Sequence, residues 1–402
     1  MAFWNKKKPW KYRYEPVGGI VALESPPALM LVDKDYLRAR GVPDSPAWDE
    51  EWTGILSAPT EVHLALTNYC AAGCPACYMD SRPTERLETE REDFELALSR
   101  IRELADMGVF HVALGGGETL EVPWLFELAA EMRRMGMVPN ITTSGLALTE
   151  EKARACKVMG QVNVSVDGLG ETFRASRGYD GFSKAEQAIA LLKKNGVRVG
   201  VNCVISSKNY EHLDGIFAWA RRTKLQDIEF LRYKPAGRGT ELYDEYRLSE
   251  EQVEQFYPRI TELTKKYRLR VKLDCSFGPF VYAHAPDPKM LQFFSVRGCE
   301  GGNWLGAVHP DGRAAPCSFA WDESIPVSEI RQRWHEPETF AHFKTWWDSP
   351  PEPCASCDYL HLCHGGCHVV AKHTDGSFEA LDPECPKVRR YRRHHKTGET
   401  NA

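Results

Sequence analysis

From Glu61 to about Cys275 the chain alternates short runs with apolar residues at every second position and longer runs with apolar residues every three or four. The first kind predicts strands at 61–67, 109–114, 138–143, 161–167, 197–205 and 227–233. The second predicts helices at 94–108, 124–136, 149–160, 183–196 and 213–223, several of which stop at glycine, the usual residue for the left-handed turn past a helix end. Six β/α units in series predict an α/β fold: a parallel sheet with helices outside, curled into a partial (β/α)6 barrel. Working loops in such folds follow the C-terminal ends of the strands. A helix over 249–267 and a strand over 270–275 close the region, and composition then shifts to Gly, Pro, Trp and Cys. The expected division is an N-terminal cap (1–60, with a hairpin over 18–32 and a helix over 33–41), the barrel (61–285), a Cys-rich domain (286–390) and a basic, disordered tail (391–402).

With 402 residues, 43% of them hydrophobic, the chain can bury a large core. A net charge of −5 from 51 basic and 56 acidic residues provides no general attraction to nucleic acid or anionic lipid. The basic opening MAFWNKKKPWKYRYEP lacks an apolar signal region, and no run of about eighteen apolar residues occurs. The expectation is a soluble cytoplasmic enzyme with neither nucleic acid nor membrane as partner. Thirteen cysteines without a secretion signal then read as metal ligands rather than disulfides. Ten fall into patterned sets. Cys156, Cys203 and Cys275 stand outside them and read as small apolar packing residues.

Just past the first strand, T-N-Y-C-A-A-G-C-P-A-C-Y-M-D sets Cys70, Cys74 and Cys77 in a C-x3-C-x2-C arrangement. Three thiolates are one short of full ligation, so an iron–sulfur cube held this way keeps one iron free for a small ligand. The segment resembles the signature of the radical S-adenosylmethionine (SAM) enzymes, which implies a [4Fe–4S] cluster whose free iron binds the amino and carboxylate groups of SAM. The run L-G-G-G-E-T-L after the second strand resembles the family's Gly-Gly-Glu motif, so Gly116, Gly117 and Glu118 would receive the SAM amino group; Thr119 stands where many relatives carry proline. By the same resemblance Ser144, in T-T-S-G, replaces an asparagine at the sugar. Ser165 and Asp167, in S-V-D-G with Arg177 nearby, meet the ribose or the carboxylate. Asn202 and Arg232 complete the pocket, and the backbone of Ala76, followed by Tyr78, meets adenine. Arg232, Lys234 and Arg238 in the run 231–239 read equally as anion contacts or as a solvated basic loop.

The second set is C-x12-G-x4-C (Cys299, Gly312, Cys317) followed by C-x2-C-x5-C-x3-C-x17-C (Cys354, Cys357, Cys363, Cys367, Cys385). C-x2-C alone suits zinc, but the whole constellation resembles the SPASM domain that follows radical SAM barrels. The resemblance implies two auxiliary [4Fe–4S] clusters. Cys354, Cys357, Cys363 and Cys385 would ligate the distal one completely. Cys299, Cys317 and Cys367 would hold the proximal one. The loop E-G-G-N-W after Cys299 has no eighth cysteine, which leaves an open iron or an unidentified fourth ligand. Ser318 stands where the sulfatase-maturing branch carries an acidic base; Arg297, Trp304, His309 and Asp311 are near the ligands in sequence. The run KVRRYRRHHK (387–396) reads as a solvated end or as a docking site for an acidic partner.

Such chemistry cleaves SAM reductively and abstracts a hydrogen atom, while auxiliary clusters carry an electron away from the product radical. The leading expectation is a maturase that crosslinks, epimerises or excises backbone from a ribosomally made precursor peptide. It would use a flavodoxin- or ferredoxin-type electron donor. Because residues 1–60 are short for a fused recognition domain, a separate peptide-recognition protein is also expected. Two alternatives stand beside it: a tetrapyrrole (haem or haem d1) side-chain maturation enzyme with Arg232, Lys234 and Arg238 facing propionates, and an iron–sulfur electron carrier.

Overall fold

The alternation along β4 (Glu61–Thr67) buries Val62, Leu64 and Leu66 in the same apolar core as Phe94, Leu98 and Ile101 of α2 (Arg91–Met107), and leaves Glu61 and His63 half-buried on the other face. This two-sided pattern repeats along β5 (His111–Gly116), β6 (Val138–Thr143), β7 (Gln161–Ser165), β8 (Val199–Ile205) and β9 (Ile228–Arg232). The helices α3 (Leu125–Arg134), α4 (Glu150–Ala155), α6 (Phe182–Lys194) and α7 (Leu213–Thr223) cover the apolar face. A computed structural model describes residues 10–24 and 27–398. A short helix that the periodicity did not flag, α5 (Glu171–Arg177), follows β7, and reciprocal caps start α2 (Glu90 with Asp93) and α9 (Ser249 with Gln252; Glu250–Tyr267).

The strands from β4 to β9 pair in parallel in sequence order, and β10 (Val271–Leu273) extends them beside β9. Glu229 on β9 interacts electrostatically with Glu61 and His63 on β4, five places along the sheet. A flat sheet would hold these strands about 24 Å apart, so the sheet is curled. At the other edge β11 (Leu305–Val308) pairs in parallel with β4, and β12 (Arg313–Ala315) and β13 (Ile325–Pro326) follow antiparallel. The Cys-rich region thus supplies three strands to the barrel's own sheet, so the expected boundary at 285 is not a cut through the fold.

The N-terminal segment forms a three-stranded antiparallel meander, β1 (Trp10–Glu15), β2 (Gly18–Glu24) and β3 (Pro27–Asp33), followed by α1 (Lys34–Ala39); β1 was not foreseen. Arg13 is buried and donates to the carbonyls of Ala58, Pro59 and Gly108 at 2.6–3.0 Å, while Glu15 holds its guanidinium at 2.8 Å. Pro59 and Gly108 precede β4 and β5, so the cap seals the N-terminal end of the barrel, opposite the cysteine loop. The expected disordered tail is corrected through residue 398: Pro386–Gly398 is a helix whose Arg390 and Arg393 pair with Glu254 and Glu250 of α9. Residues 399–402 lie outside the described residues.

Arg232, at the end of β9, joins barrel to Cys-rich region. Its guanidinium is almost wholly buried and pairs with Asp382 (2.7 Å) and Glu384 (2.9 Å) while donating to the carbonyl of Ser276 (2.9 Å). Burial opposes its charge, but the two carboxylates prevail and hold its pKa well above the ordinary value. Removing one member of a buried ion pair leaves uncompensated charge and costs about 3–5 kcal/mol. Arg232→Met should therefore lower stability by about that amount, read as a fall in the urea midpoint of tryptophan fluorescence; an unmoved midpoint would show that the pair does not hold the two regions together.

Candidate active site

The cysteine loop is held by backbone and side-chain contacts from three directions. A bridge between Tyr69 and Arg82 closes it, with Cys70 N–H donating to the Arg82 carbonyl at 3.2 Å. Gly117 and Glu118 N–H groups donate to the carbonyls of Thr67 (2.7 Å) and Tyr69 (2.8 Å). A Cβ on Gly117 would stand 1.8 Å from the Tyr69 carbonyl oxygen, a collision only glycine avoids. The glycine run thus grips the loop itself, whereas a Cβ added at Gly115 would stand in open space. From the turn Gly237–Thr240 that follows β9, Arg238 donates to the carbonyls of Cys74 (2.7 Å) and Ser81 (3.0 Å) and pairs with Asp80 (2.7 Å). From α5, Arg177 approaches the Cys74 sulfur at 3.7 Å and pairs with Asp167 at 2.9 Å.

The structure places most residues expected at SAM on the rim of this loop, each with protein partners. Glu118 is buried and accepts from Thr143 Oγ1 (2.7 Å) and from the Ser144 N–H (2.9 Å) and Oγ (2.6 Å), so Ser144 orients the glutamate. Asp167 also accepts from the Val204 N–H at 2.7 Å. Burial opposes the charge of Arg177, but Asp167 prevails and raises its pKa. Ser165 is buried at the end of β7, and Asn202 accepts from Asn163 (2.7 Å) and donates to Thr142 (3.3 Å). Ala76 packs against the core; Tyr78, partly exposed, stacks at a tilt on Phe319 of the Cys-rich region with centroids 5.0 Å apart. Three expectations are corrected. Arg232 is spent on Asp382 and Glu384, Lys234 pairs with Asp274, and Arg238 braces the loop, so the run 231–239 is neither a set of cofactor contacts nor a solvated basic loop.

The lumen carries residues that motif reading missed. His63 hydrogen-bonds Ser318 across the two regions at 2.8 Å, and Glu61 lies 3.4 Å from His63 and 3.8 Å from His111. Burial opposes ionisation of Glu61, but its histidine partners prevail and keep it below the usual carboxylate range. Burial pushes the Glu229 carboxyl up to about 7, against the pull of Lys272. A signal for these residues was present: parallel strands covered on both faces run continuously apolar, yet here the strands set polar residues such as Asn140, Thr142, Asn163, Asn202 and Glu229 among their core positions.

None of the thirteen cysteines is in a disulfide. Cys354, Cys357, Cys363 and Cys385 line one cavity with Tyr282, Tyr359 and Lys387, whose ammonium approaches the Cys357 sulfur at 3.3 Å. Cys299 interacts electrostatically with Cys317 and Cys367, and its N–H donates to the Cys363 carbonyl at 3.3 Å, so the two groups adjoin. Burial pushes the Cys70 thiol up to about 11 and the Cys317 and Cys354 thiols up to about 12. Among the described residues no three ligand side chains converge on a single metal ion. Thiols set around a cavity and approached by cations fit an iron–sulfur cluster, which spaces its ligands more widely than one ion does. Cys156 and Cys203 are apolar core residues, as expected.

The sequence model of the Radical SAM superfamily matches residues 64–220. Fe-coproporphyrin III synthase of Methanosarcina barkeri is 30% identical over 350 residues, covering 80% of this chain and 86% of that protein. PqqA peptide cyclase of Gluconobacter oxydans is 28% identical over 351 residues, 82% of this chain and 91% of that protein. The structure of Streptococcus suis SuiB bound to precursor peptide SuiA superposes with a TM-score of 0.73 at 16% identity, covering 96% of this chain and 100% of that one.

Two outcomes follow. Gly117→Ala should displace the cysteine loop and abolish its visible iron–sulfur absorption on reconstitution when Cys70, Cys74 and Cys77 are the only cluster cysteines left, with far-ultraviolet circular dichroism unchanged. Glu229 holds a proton in the folded chain that the unfolded chain releases above about 4.5, so its contribution lowers stability as pH rises from there through about 7. Glu229→Gln should remove that segment from the pH profile of the melting temperature.

Proposed function

The chain belongs to the radical SAM superfamily, and on that premise we propose that it is a maturase that oxidatively modifies a ribosomally synthesised precursor peptide bound at the barrel mouth. Membership sets aside the plain electron carrier: the family implies SAM and a [4Fe–4S] cluster. The observation that carries the peptide reading is the run of PqqA peptide cyclases matched across about four-fifths of the chain. The likeness of the whole fold to a structure that holds a precursor peptide supports it.

Cys70, Cys74 and Cys77 would hold the cluster, with Gly116, Gly117, Glu118, Ser144, Ser165, Asp167, Arg177 and Asn202 around the SAM site. When bound, the cluster and SAM together supply a 5′-deoxyadenosyl radical by one-electron reduction of the sulfonium. The protein's part is to orient and to exclude water. Arg177, anchored by Asp167, sets a positive charge beside Cys74 and favours its thiolate. The polar lumen receives the peptide's hydrogen-bonding groups. Glu229, half-protonated near neutrality, can take or release a proton there. Two auxiliary [4Fe–4S] clusters, one on Cys354, Cys357, Cys363 and Cys385 and one on Cys299, Cys317 and Cys367, would accept the electron a net oxidation releases. A flavodoxin- or ferredoxin-type donor and a separate peptide-recognition protein complete the proposal.

Tetrapyrrole maturation is the second reading, favoured by the likeness to Fe-coproporphyrin III synthase. Against it, Arg232, Lys234 and Arg238 all have protein partners, which leaves none of the three to face propionates.

Reconstituted protein, dithionite and SAM, incubated anaerobically with the short peptide encoded beside its gene, should yield 5′-deoxyadenosine and a defined peptide mass change, or deuterium uptake in heavy water for an epimerisation. Cys70→Ala should abolish 5′-deoxyadenosine; Cys363→Ala should retain it and lose product. An unchanged peptide, with a side chain of an added iron-tetrapyrrole altered instead, would move the second reading ahead.

A further inference from the structure

Cys275 differs from the other two cysteines outside the motifs. Cys156 and Cys203 have no accessible surface and sit in the apolar core. Cys275 opens the turn Cys275–Phe277 just past β10, keeps accessible surface, and belongs to no apolar cluster among the described residues.

Its neighbours are those of the proximal cysteines. The carbonyl of Ser276 accepts from Arg232 at 2.9 Å; the same guanidinium donates to Asp382 at 2.7 Å, and Asp382 accepts from the Cys367 N–H at 2.9 Å. Three hydrogen bonds thus tie the Cys275 turn to Cys367. Gly278 lies against Gly298, where an added Cβ would sit 3.8 Å from the Gly298 Cα, one residue from Cys299. Pro279 packs on Gly366, one residue from Cys367. The Cys275 and Cys299 thiols are close enough to interact electrostatically, as Cys299 does with Cys317 and Cys367. One ammonium, that of Lys234, acts on Cys275, Cys317 and Cys367 together and rests over the Phe319 ring at 4.6 Å. The carboxylate beside Cys275 is already committed: Asp274 pairs with Lys234 and accepts from Ser276 Oγ at 2.6 Å.

We propose that Cys275 is the fourth protein ligand of the proximal auxiliary cluster, closing it together with Cys299, Cys317 and Cys367. The proposal rests on the auxiliary-cluster reading above; it chooses the fourth ligand over the open iron and replaces the expectation that Cys275 is a packing residue. A cube ligated by four cysteines carries electrons and has no position for substrate. Substrate therefore binds in the lumen and not on the proximal iron, and Lys234 places a positive charge beside that cluster.

The test uses the full chain with Cys70, Cys74 and Cys77 all changed to alanine, so that every remaining iron is auxiliary. After anaerobic reconstitution, two cubes bring about eight irons per chain. Mild ferricyanide oxidation strips the free iron from a three-cysteine cube and leaves a paramagnetic [3Fe–4S] centre, whereas a fully ligated cube resists. The parent should show no [3Fe–4S] resonance, and adding Cys275→Ala should produce that resonance from one cluster per chain. Cys156→Ala should match the parent. A [3Fe–4S] resonance in the parent, or a Cys275→Ala spectrum identical to the parent's, would overturn the proposal. The parent's result stands without any Cys275 variant, and Cys275→Ser, which keeps a ligating atom, should shift the resonance of the reduced cluster where alanine prevents folding. A parent holding about four irons or fewer, unchanged by Cys317→Ala, would overturn the auxiliary-cluster reading itself, and the proposal with it.

Discussion

A buried positive charge organises this molecule. The Arg232 guanidinium ends β9 inside the protein, where an unpaired charge is prohibitively expensive, so the chain must bring carboxylates to it. Asp382 and Glu384 arrive from the far end of the Cys-rich region, Tyr243 steadies Glu384 with a 2.5 Å hydrogen bond, and Asp382 spends its remaining capacity on the N–H groups of Cys367 and Glu384. Cys385 follows directly, so one charge sets the position of cysteines from both auxiliary groups relative to the barrel. Low dielectric makes each of these bonds stronger than it would be at the surface.

The same economy of contact governs the cysteine loop. A loop of small residues has little side-chain surface with which to pack, so its conformation is imposed by neighbours: Gly117 against Tyr69, Arg238 on the Cys74 carbonyl, and Arg177 beside the Cys74 sulfur. These braces come from loops after three different strands, which is what a barrel mouth offers and a single supersecondary unit cannot. Burial disfavours the thiolate at Cys70, Cys317 and Cys354, so loading a cluster must displace their protons, and Arg177 beside Cys74 and Lys234 beside Cys317 favour the thiolate state that results.

Barrel and Cys-rich region share a sheet, a core and a hydrogen bond between His63 and Ser318 at the lumen. The lumen and the cysteine groups therefore belong to one continuous fold. The N-terminal meander is clamped by Arg13 to the opposite end of the barrel, where the chain enters β4 and β5.

Local patterning was enough to place nearly every barrel strand and helix, because core-facing residues recur with the period of the element and glycine marks helix ends; β4 and α7 have the bounds expected. Motif spacing likewise singled out ten cysteines, and the fold gathers seven of them into two adjoining groups, because residues of one motif that lie close in sequence also lie close in space. Short elements without a full apolar face, β1 and α5, escaped, as did the helical C-terminus, whose charges are matched by Glu250 and Glu254 of a distant helix and by Asp375. What the sequence by itself determined is the periodic fold and the cluster chemistry, both encoded between near neighbours. Only the tertiary structure decided the fates of Arg232, Lys234, Arg238 and Cys275: a charge or a thiol looks the same in sequence whether it meets solvent, cofactor or another side chain, and its partner here lies up to 152 residues away.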